Sequence, residues 1–352
     1  MDIKTYTTRF SEAARIQNLD AEQIGMYLSY AKKLLKLGLP VIYDQEHFSC
    51  LVGYDYNFIL ALSNAPNYFY KQFEIPKKSG NQRKIDEPYP TLKEIQTWIL
   101  KNILTPASRH FVSPVAKAFM PGKSLRDNAK FHRSKGLVVA LDINDFFGSV
   151  HFGAVYGTFK AMGYNKSVST LLSNLCVLND SLPQGAPTSP MLSNIIFKSL
   201  DDGIFNYCNK RGIMYTRYAD DMVFSSNTLN TARLISYVTM RVEKFGMYIN
   251  ESKTKVMGRG FRQNVTGVIV NDKLQVPRYY RKKIRQEIYF VQRYGFEEHL
   301  RRVKDIPTWI QTPLHYAHHL YGKICFVLQI NPKDNTFGFY KEWLKLQILQ
   351  MK

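Results

Sequence analysis

Two neighbouring aspartates, Asp220 and Asp221, carry the most direct chemical signal in the sequence. They stand between two β-prone apolar runs, residues 213–218 and 222–224, a pattern that predicts a β-hairpin with the pair at its tip. Adjacent side chains of a strand point to opposite faces, whereas at a turn both carboxylates can face one ion. Such a pair suits Mg²⁺, which takes oxygen ligands and is often shared with substrate phosphates. A solvated Asp-Asp turn is the plain alternative, since Asp favours turns.

A third carboxylate, Asp142, strengthens the metal interpretation. It ends the continuous apolar run Gly-Leu-Val-Val-Ala-Leu at residues 136–141, which is typical of a buried strand. A charge at the end of a buried strand is costly without a cation or a partner. On neighbouring strands, Asp142 and the Asp220-Asp221 tip would form a two-metal site for in-line phosphoryl transfer, with the metals about 3.5–4 Å apart.

The residues around these aspartates resemble the motifs of reverse transcriptases. Residues 218–221, Tyr-Ala-Asp-Asp, look like the YxDD signature, and residues 141–147, Leu-Asp-Ile-Asn-Asp-Phe-Phe, resemble the first catalytic block. Between them, residues 182–190, Leu-Pro-Gln-Gly-Ala-Pro-Thr-Ser-Pro, are similar to the LPQGxxxSP block. The tetrapeptide alone would be a weak signal, but three blocks in this order are specific.

Two further stretches are similar to retron reverse transcriptases in particular. Residues 128–132 read Asn-Ala-Lys-Phe-His, an Asn-Ala-x-x-His motif, and residues 265–267 read Val-Thr-Gly. The resemblance covers roughly residues 37–330 and implies an α+β right-hand polymerase fold with fingers, palm and thumb. The expected parts are a helical extension at 1–36, fingers with part of the palm at 37–135, a palm at 136–272 with a fingers insertion at about 152–185, and a helical thumb at 273–352.

The resemblance also implies a site for the incoming nucleotide. Residues 73–85 predict a hairpin with four cations, which corresponds to the fingers hairpin of the family, although a basic surface turn is the alternative. Phe147 matches the aromatic residue that rejects a ribose 2′-OH. The family also has a lysine near the active site, for which Lys253 and Lys255 are the two candidates. A solvent-exposed role is equally open for either lysine. The residues assigned to the nucleotide are Lys77, Lys78, Arg83, Asp145, Phe147, Gln184 and Lys253.

RNA binding is expected from the two retron motifs and from the basic segment that follows them. Residues 278–304 contain nine Lys or Arg against three Glu at helical spacing, which suits a helix with one face along a phosphate backbone. A lone Asn or His is more often structural than functional. The residues assigned to RNA are Asn128, His132, Val265, Thr266, Gly267, Arg278, Arg281, Lys282 and Arg285.

Composition agrees with a folded protein that has a polyanionic partner. The chain has 352 residues, 45% of them hydrophobic, and a formal net charge of +20, which favours nucleic acid over an anionic membrane surface because no basic amphipathic anchor is evident. No apolar run reaches the ~18 residues of a membrane span, and residues 1–9 lack the apolar core of a signal peptide. We therefore expect a cytoplasmic protein without a membrane partner.

The expected activity is RNA-templated DNA synthesis, with Asp142, Asp220 and Asp221 holding two Mg²⁺. The resemblance further implies deoxynucleotide substrates, a partner non-coding RNA (msr-msd) that primes from a guanosine 2′-OH, a branched RNA–DNA product (msDNA), and phage defence with an effector protein. One alternative is a group II intron-type enzyme, which usually carries further regions after the thumb. The other is a structural RNA- or msDNA-binding scaffold that restrains a toxin, although three intact carboxylates argue against an inactive protein.

Overall fold

The structure, a computed structural model, describes residues 2–76, 80, 82–303, 307 and 309–351. It combines many helices with antiparallel strands, so the predicted α+β class is confirmed. The α-helices of the described residues are α1 Ile3–Ile16, α2 Ala21–Lys36, α3 Gln45–Val52, α4 Tyr56–Asn64, α5 Pro90–Ile99, α6 Thr105–Phe111, α7 Leu125–Ala129, α8 Phe152–Ala161, α9 Lys166–Cys176, α10 Ser189–Ile196, α11 Lys198–Asn209, α12 Thr231–Lys244, α13 Arg278–Arg302, α14 Pro313–Ile330 and α15 Asn335–Gln350. The strands are β1 Tyr70–Pro76, β2 Gln82–Pro88, β3 Leu137–Asp142, β4 Met214–Tyr218, β5 Asp221–Ser226, β6 Lys255–Gly258, β7 Asn264–Val265 and β8 Val268–Ile269.

Local sequence signals account for several of these boundaries. The carboxylate of Asp20 accepts a hydrogen bond from the backbone N–H of Gln23 at 2.7 Å, and the Gln23 side chain accepts one from the N–H of Asp20 at 3.1 Å. This capping box starts α2 directly after Asp20. The Asn165 side chain accepts a hydrogen bond from the N–H of Val168 at 2.9 Å and so caps the start of α9, which separates this helix from α8.

The chain divides into two compact units, each built from several segments. The first contains Met1–Pro121, Ile143–Tyr207 and Ser236–Asn250, and the second contains Gly122–Asp142, Cys208–Ile235 and Glu251–Lys352. Both units therefore draw on distant parts of the sequence. The finer division into fingers, palm and thumb stays a prediction.

The first unit is mainly helical and carries the β1–β2 hairpin. The two strands pair antiparallel along their whole length, as predicted for the segments that flank the basic turn. The backbone of Gly185 packs against β2 and has a φ of 141°, and a Cβ there would lie 2.5 Å from the carbonyl oxygen of Asp86. The N–H of Asp86 donates to the carbonyl of Gln184 at 2.8 Å. A glycine is needed at position 185 because only a bare backbone fits this approach.

The second unit is organised around a four-stranded antiparallel sheet in the order β4-β5-β3-β6, and β7 and β8 form a separate small hairpin. Valines of the sheet, Val138 and Val223, belong to the same buried cluster as Ile284 and Ile288 of α13 and Leu320 of α14. This cluster holds the sheet and the C-terminal helices in one hydrophobic core. Ile284 and Ile288 of α13 are each 1% exposed.

The long helix α13 is interrupted at Gly295, where φ is 79° and ψ is 166°. The interruption falls at a residue that adopts positive φ without strain. Among the described residues, no helix combines the length and the apolar character needed to span a membrane.

Candidate active site

Asp142 and Asp221 face each other across two hydrogen-bonded strands. β3 pairs antiparallel with β5, and the register places Asp142 directly opposite Asp221. Residues directly opposite in an antiparallel pair have Cβ atoms about 4.5–5.5 Å apart on one face of the sheet. The prediction that these aspartates meet on neighbouring strands is confirmed, and two carboxylates therefore share one edge of the sheet.

The third aspartate, Asp220, lies in the two-residue turn between β4 and β5. Tyr218 pairs with Asp221, so the turn consists of Ala219 and Asp220, and Asp221 already belongs to the strand. Ala219 has a φ of 57°, which side chains seldom adopt. Arg217 is completely buried and its Nη1 donates to the carbonyl oxygen of Ala219 at 3.0 Å. This hydrogen bond holds the strained turn in the conformation that presents Asp220.

The electrostatics of the site are those of carboxylates gathered closely together. Burial, followed by the charges of Asp220 and Asp142, raises the pKa of Asp221 to about 6, and Lys253 and Lys255 oppose this rise. Both effects disfavour the ionised form, one because charge is taken out of water and the other because like charges repel. A cation bound among these side chains would relieve both.

Lys253 places a positive charge next to these carboxylates. Its Nζ donates to Oδ1 of Asp142 at 2.8 Å and to Oδ2 at 3.1 Å, and this hydrogen bonding raises the pKa of Lys253. The Asp142 side chain is 10% exposed and that of Lys253 is 57% exposed. Of the two lysines predicted near the site, Lys253 therefore contacts a carboxylate directly, and its exposed stem leaves it room to move.

A cavity of about 230 Å³ opens beside these groups, and its lining includes Asp142, Asp221, Lys253 and the Thr266–Gly267 turn. In the described part of the chain, no three His, Cys, Asp or Glu side chains converge closely enough to hold an ion as they stand. The chemistry of the donors nevertheless fits a divalent cation, because hard oxygen ligands face each other and the pKa of Asp221 is raised. The ammonium group of Lys253 stands where it partly compensates the same carboxylates.

Comparison with known proteins identifies the family. Residues 75–280, which include all three aspartates, match the family described as reverse transcriptase (RNA-dependent DNA polymerase). The retron Ec86 reverse transcriptase of Escherichia coli is 32% identical over 263 residues, covering 74% of this chain and 81% of that protein. The chain belongs to the retron reverse transcriptases. It is therefore an RNA-directed DNA polymerase with an α+β polymerase fold.

Two other relatives extend the match over most of the reverse transcriptase. The retron Mx65 reverse transcriptase of Myxococcus xanthus is 30% identical over 348 residues, which cover 92% of this chain and 76% of that protein. The retron Ec83 reverse transcriptase of Escherichia coli is 30% identical over 296 residues, covering 78% of this chain and 88% of that one. The similarity therefore reaches well beyond the three catalytic blocks.

The structure of the reverse transcriptase places Asn128 and His132 in the interior of the second unit, both 0% exposed. Their side chains contact other buried polar side chains instead of opening to solvent. The sequence predicts direct binding of RNA by these two residues, and this burial does not agree with such a contact. Any influence on RNA must pass through the residues that they hold.

The Val-Thr-Gly segment of the reverse transcriptase forms the turn between β7 and β8. Val265 is buried in the core, whereas Thr266 and Gly267 line the cavity. Their φ angles are 47° and 89°, so both central residues of the turn have positive φ, as in a type I′ hairpin. The side chain of Asn264 accepts a hydrogen bond from the N–H of Gly267 at 2.8 Å. Thr266 is thus held in the lining of the cavity that also contains Asp142 and Asp221.

The basic residues assigned to RNA lie in the first two turns of α13. Arg278, Lys282 and Arg285 are exposed, as a surface for phosphates requires. Arg281 differs, because its Nη1 lies 3.6 Å from a carboxylate oxygen of Asp334 and its side chain is 23% exposed. Arg281 therefore joins α13 to the start of α15, and its assignment to RNA stays a prediction.

The residues assigned to the incoming nucleotide belong mainly to the first unit, and Lys253 to the second. Arg83 is exposed on β2, and Lys77 and Lys78 lie outside the described residues. Phe146 is 5% exposed, whereas Phe147 is half-buried, with its ring centroid 6.4 Å from that of Phe119. Phe146 is therefore a core residue, whereas part of the Phe147 ring is accessible.

Asp145 and Gln184 complete the nucleotide assignment. Asp145 is exposed, with a φ of 41°, in the turn that follows β3. Gln184 is half-buried next to Gly185, where its carbonyl bonds to β2. Their roles remain predictions.

Sequence reasoning missed several residues that support the site. Arg217 beneath the turn, together with Thr216 and Ser225 on β4 and β5, is buried. A cation within an otherwise apolar strand, three positions before a carboxylate pair, was a usable signal for Arg217, since buried arginine needs acceptors. No comparable signal marks the two hydroxyl residues.

Proposed function

We propose that this reverse transcriptase copies a structured non-coding RNA (msr-msd) into DNA, using a guanosine 2′-OH of the same RNA as primer and leaving a branched RNA–DNA product (msDNA). The observation that carries the proposal is the direct pairing of Asp142 with Asp221 in a chain that belongs to the retron family. The resemblance of residues 128–132 and 265–267 to retron motifs supports the same conclusion.

The three aspartates, Asp142, Asp220 and Asp221, are the proposed ligands of two Mg²⁺ ions. When bound, the ions would lower the pKa of the attacking hydroxyl and stabilise the pyrophosphate leaving group. The raised pKa of Asp221 supports this assignment, because a carboxylate that is hard to ionise alone gains most from a cation. Arg217 has the supporting task of holding the turn that carries Asp220.

Lys253 has a separate role in the proposed reaction. Its pKa is raised by the hydrogen bonds to Asp142, so the ammonium group stays charged at neutral pH. Because its side chain is more than half exposed, the ammonium group can turn from Asp142 to a phosphate oxygen of the incoming deoxynucleotide. In this way one side chain would balance the charge of the site before and after the substrate enters.

The incoming deoxynucleotide is assigned to residues that the resemblance selects. Arg83, together with Lys77 and Lys78, would hold the triphosphate, and Phe147 would exclude a ribose 2′-OH by steric clash. Asp145 and Gln184 would lie beside the sugar and base. For Phe147, the half-buried position of its ring supports the assignment, since a ring in the core could not contact a substrate.

The template–primer RNA is assigned to the second unit. The exposed cations Arg278, Lys282 and Arg285 would bind its phosphates, with Arg281 as a further candidate, and the Thr266–Gly267 turn would lie at the primer strand. The formal charge of +20 supports a polyanionic partner. An RNA transcript and deoxynucleotides are cytoplasmic molecules, so we place the reaction in the cytoplasm. By family resemblance we also propose a role in phage defence together with an effector protein.

The proposal is tested by expressing the chain with its flanking non-coding DNA and extracting nucleic acid from the purified protein. We expect one DNA species whose mobility shifts after treatment with debranching enzyme and which is absent from an Asp220→Asn, Asp221→Asn variant. DNA without a branch would contradict the 2′-OH priming and leave the polymerase activity intact. RNA bound to folded protein without any DNA would favour a scaffold that restrains an effector.

A further inference from the structure

Five buried or half-buried polar side chains form a continuous chain of hydrogen bonds in the second unit. Ser225 Oγ lies 2.8 Å from His132 Nδ1, and His132 Nε2 lies 2.8 Å from Thr216 Oγ1. Thr216 Oγ1 donates to Asn128 Oδ1 at 2.6 Å, and Asn128 Nδ2 donates to Thr266 Oγ1 at 3.2 Å. This relay runs from the catalytic sheet to the turn that lines the cavity.

The direction of every hydrogen bond in the relay follows from the chemistry of its members. The carbonyl oxygen of Asn128 can only accept, so the single hydroxyl proton of Thr216 is used there. Nε2 of His132 must then donate to Thr216. Burial lowers the pKa of His132 to about 3, so the imidazole is neutral at pH 7 and its Nδ1 accepts from Ser225. The relay is therefore polarised from Ser225 to Thr266.

The polarity matters at its last member, Thr266. Because Asn128 Nδ2 donates to Thr266 Oγ1, the hydroxyl of Thr266 uses a lone pair inward and keeps its proton for another acceptor. Thr266 is half-buried and lines the cavity that also contains Asp142 and Asp221. The same residue has a φ of 47°, an unfavourable conformation for a β-branched side chain. Gly or Asn would occupy this turn position without such strain, so a hydroxyl group is what threonine adds.

We propose that Asn128 is a positioning residue that fixes Thr266 as a hydrogen-bond donor to a backbone oxygen of the primer strand. This inference rests on the proposed function, and it adds a task for the buried Asn-Ala-x-x-His motif. Asn128 orients the Thr266 hydroxyl, and His132 and Thr216 fix the orientation of the Asn128 amide. The acceptor is a phosphate or ribose oxygen of the primer, since both present lone pairs to a hydroxyl donor.

The test compares the affinity of variants of the full chain for a fluorescein-labelled RNA primer annealed to an RNA template, by anisotropy in EDTA. Thr266→Val keeps the shape and removes the hydroxyl, and we expect Kd to rise about 5- to 10-fold, the worth of one hydrogen bond. Thr266→Ser keeps the hydroxyl and restores the affinity. A merely structural role for Thr266 would not distinguish serine from valine in this way.

Asn128→Asp tests the relay itself, because a carboxylate can only accept and would draw the Thr266 proton inward. We expect the same loss of affinity as in Thr266→Val and no further loss in the double variant. Thr216→Val is the second route, since it removes the donor that orients the Asn128 amide, and it serves if the aspartate variant fails to fold. Independent, additive losses would overturn the relay.

Modified primers distinguish the two acceptors. A methylphosphonate at the terminal linkage lacks one of the two non-bridging oxygens, so one of its two diastereomers abolishes the difference between wild type and Thr266→Val if the acceptor is a phosphate oxygen. A 2′-deoxy terminus abolishes the difference if the acceptor is the ribose hydroxyl. Wild-type affinity in Thr266→Val, or no binding of primer–template by the wild type, would overturn the inference. Failure of branched priming is a separate result, because it is read from the DNA product.

Discussion

Replacing Asp221 by asparagine should stabilise the metal-free protein while abolishing polymerisation. In the folded protein, burial and the neighbouring Asp220 and Asp142 raise the pKa of Asp221 from its ordinary 3.8 to about 6. The ionised carboxylate therefore costs folding free energy, and asparagine removes that cost without changing the shape of the side chain. The loss of a metal ligand should remove activity at the same time.

The magnitude and the pH dependence follow from linkage. A rise of the pKa from 3.8 to about 6 corresponds to at most about 3 kcal/mol, and the half-buried position of Asp221 argues for about 1–2 kcal/mol. The cost is fully present above pH 6, where Asp221 is ionised in both states, and it disappears as pH falls through 6 to below 3.8, where both states are protonated. The variant should thus gain stability at pH 7.5 and little at pH 4.

The assay is denaturant unfolding of wild type and Asp221→Asn in EDTA at several pH values, repeated at pH 7.5 with Mg²⁺. Mg²⁺ should stabilise the wild type more than the variant, because only the wild type has the full set of carboxylates. Asp272→Asn is the matched control, since Asp272 is exposed in the same unit. An Asp221→Asn protein that is less stable than wild type at pH 7.5 in EDTA, or a gain that does not change with pH, would refute the reasoning.

Three further predictions concern the surroundings of the site. Lys253→Met removes the hydrogen bonds to both oxygens of Asp142, so single-turnover incorporation of a deoxynucleotide should slow at least about tenfold, whereas an unchanged rate would exclude a role in the reaction. Because the pKa of His132 is lowered to about 3, the unfolded state binds the proton first and stability should fall as pH drops through 6.5 towards 3. By pH 4.5 this loss of stability amounts to at most about 3 kcal/mol; unfolding curves of His132→Gln should show a shallower acid slope, and equal slopes would contradict the assignment. Gly185→Ala places a Cβ 2.5 Å from the carbonyl of Asp86, so the melting temperature should drop by several degrees, and a variant that melts like wild type would show that the loop has another conformation.

Much of the fold was readable from the sequence because its signals act over a few residues. The apolar run before Asp142 predicts β3, and the apolar runs on either side of the Asp220-Asp221 pair predict the β4–β5 hairpin, both of which the structure contains. The carboxylates could also be expected to meet, since a buried charge at a strand end needs a partner. Their exact opposition depends on the register of β3 against β5, which the hydrophobic pattern of both strands sets.

Other features of the site were not readable because they join residues that are far apart in the chain. The hydrogen bond from Asn128 to Thr266 spans 138 positions, and the one from Lys253 to Asp142 spans 111. From sequence alone, Asn128 and His132 looked like candidates for RNA contact, and Lys253 could not be separated from Lys255. Only packing decides which side chain is enclosed and which one reaches a carboxylate.

The sequence by itself therefore determined the chemistry of this reverse transcriptase, namely three aspartates in motifs that define its family, and the local elements that carry them. The tertiary structure alone decided that Asp221 resists ionisation, that Lys253 compensates Asp142, and that the Asn-Ala-x-x-His motif is a buried relay to Thr266. The physical reason is that residue type fixes what a side chain can donate, accept or charge. Burial and neighbours, which set how strongly it does so, exist only once distant segments have packed together.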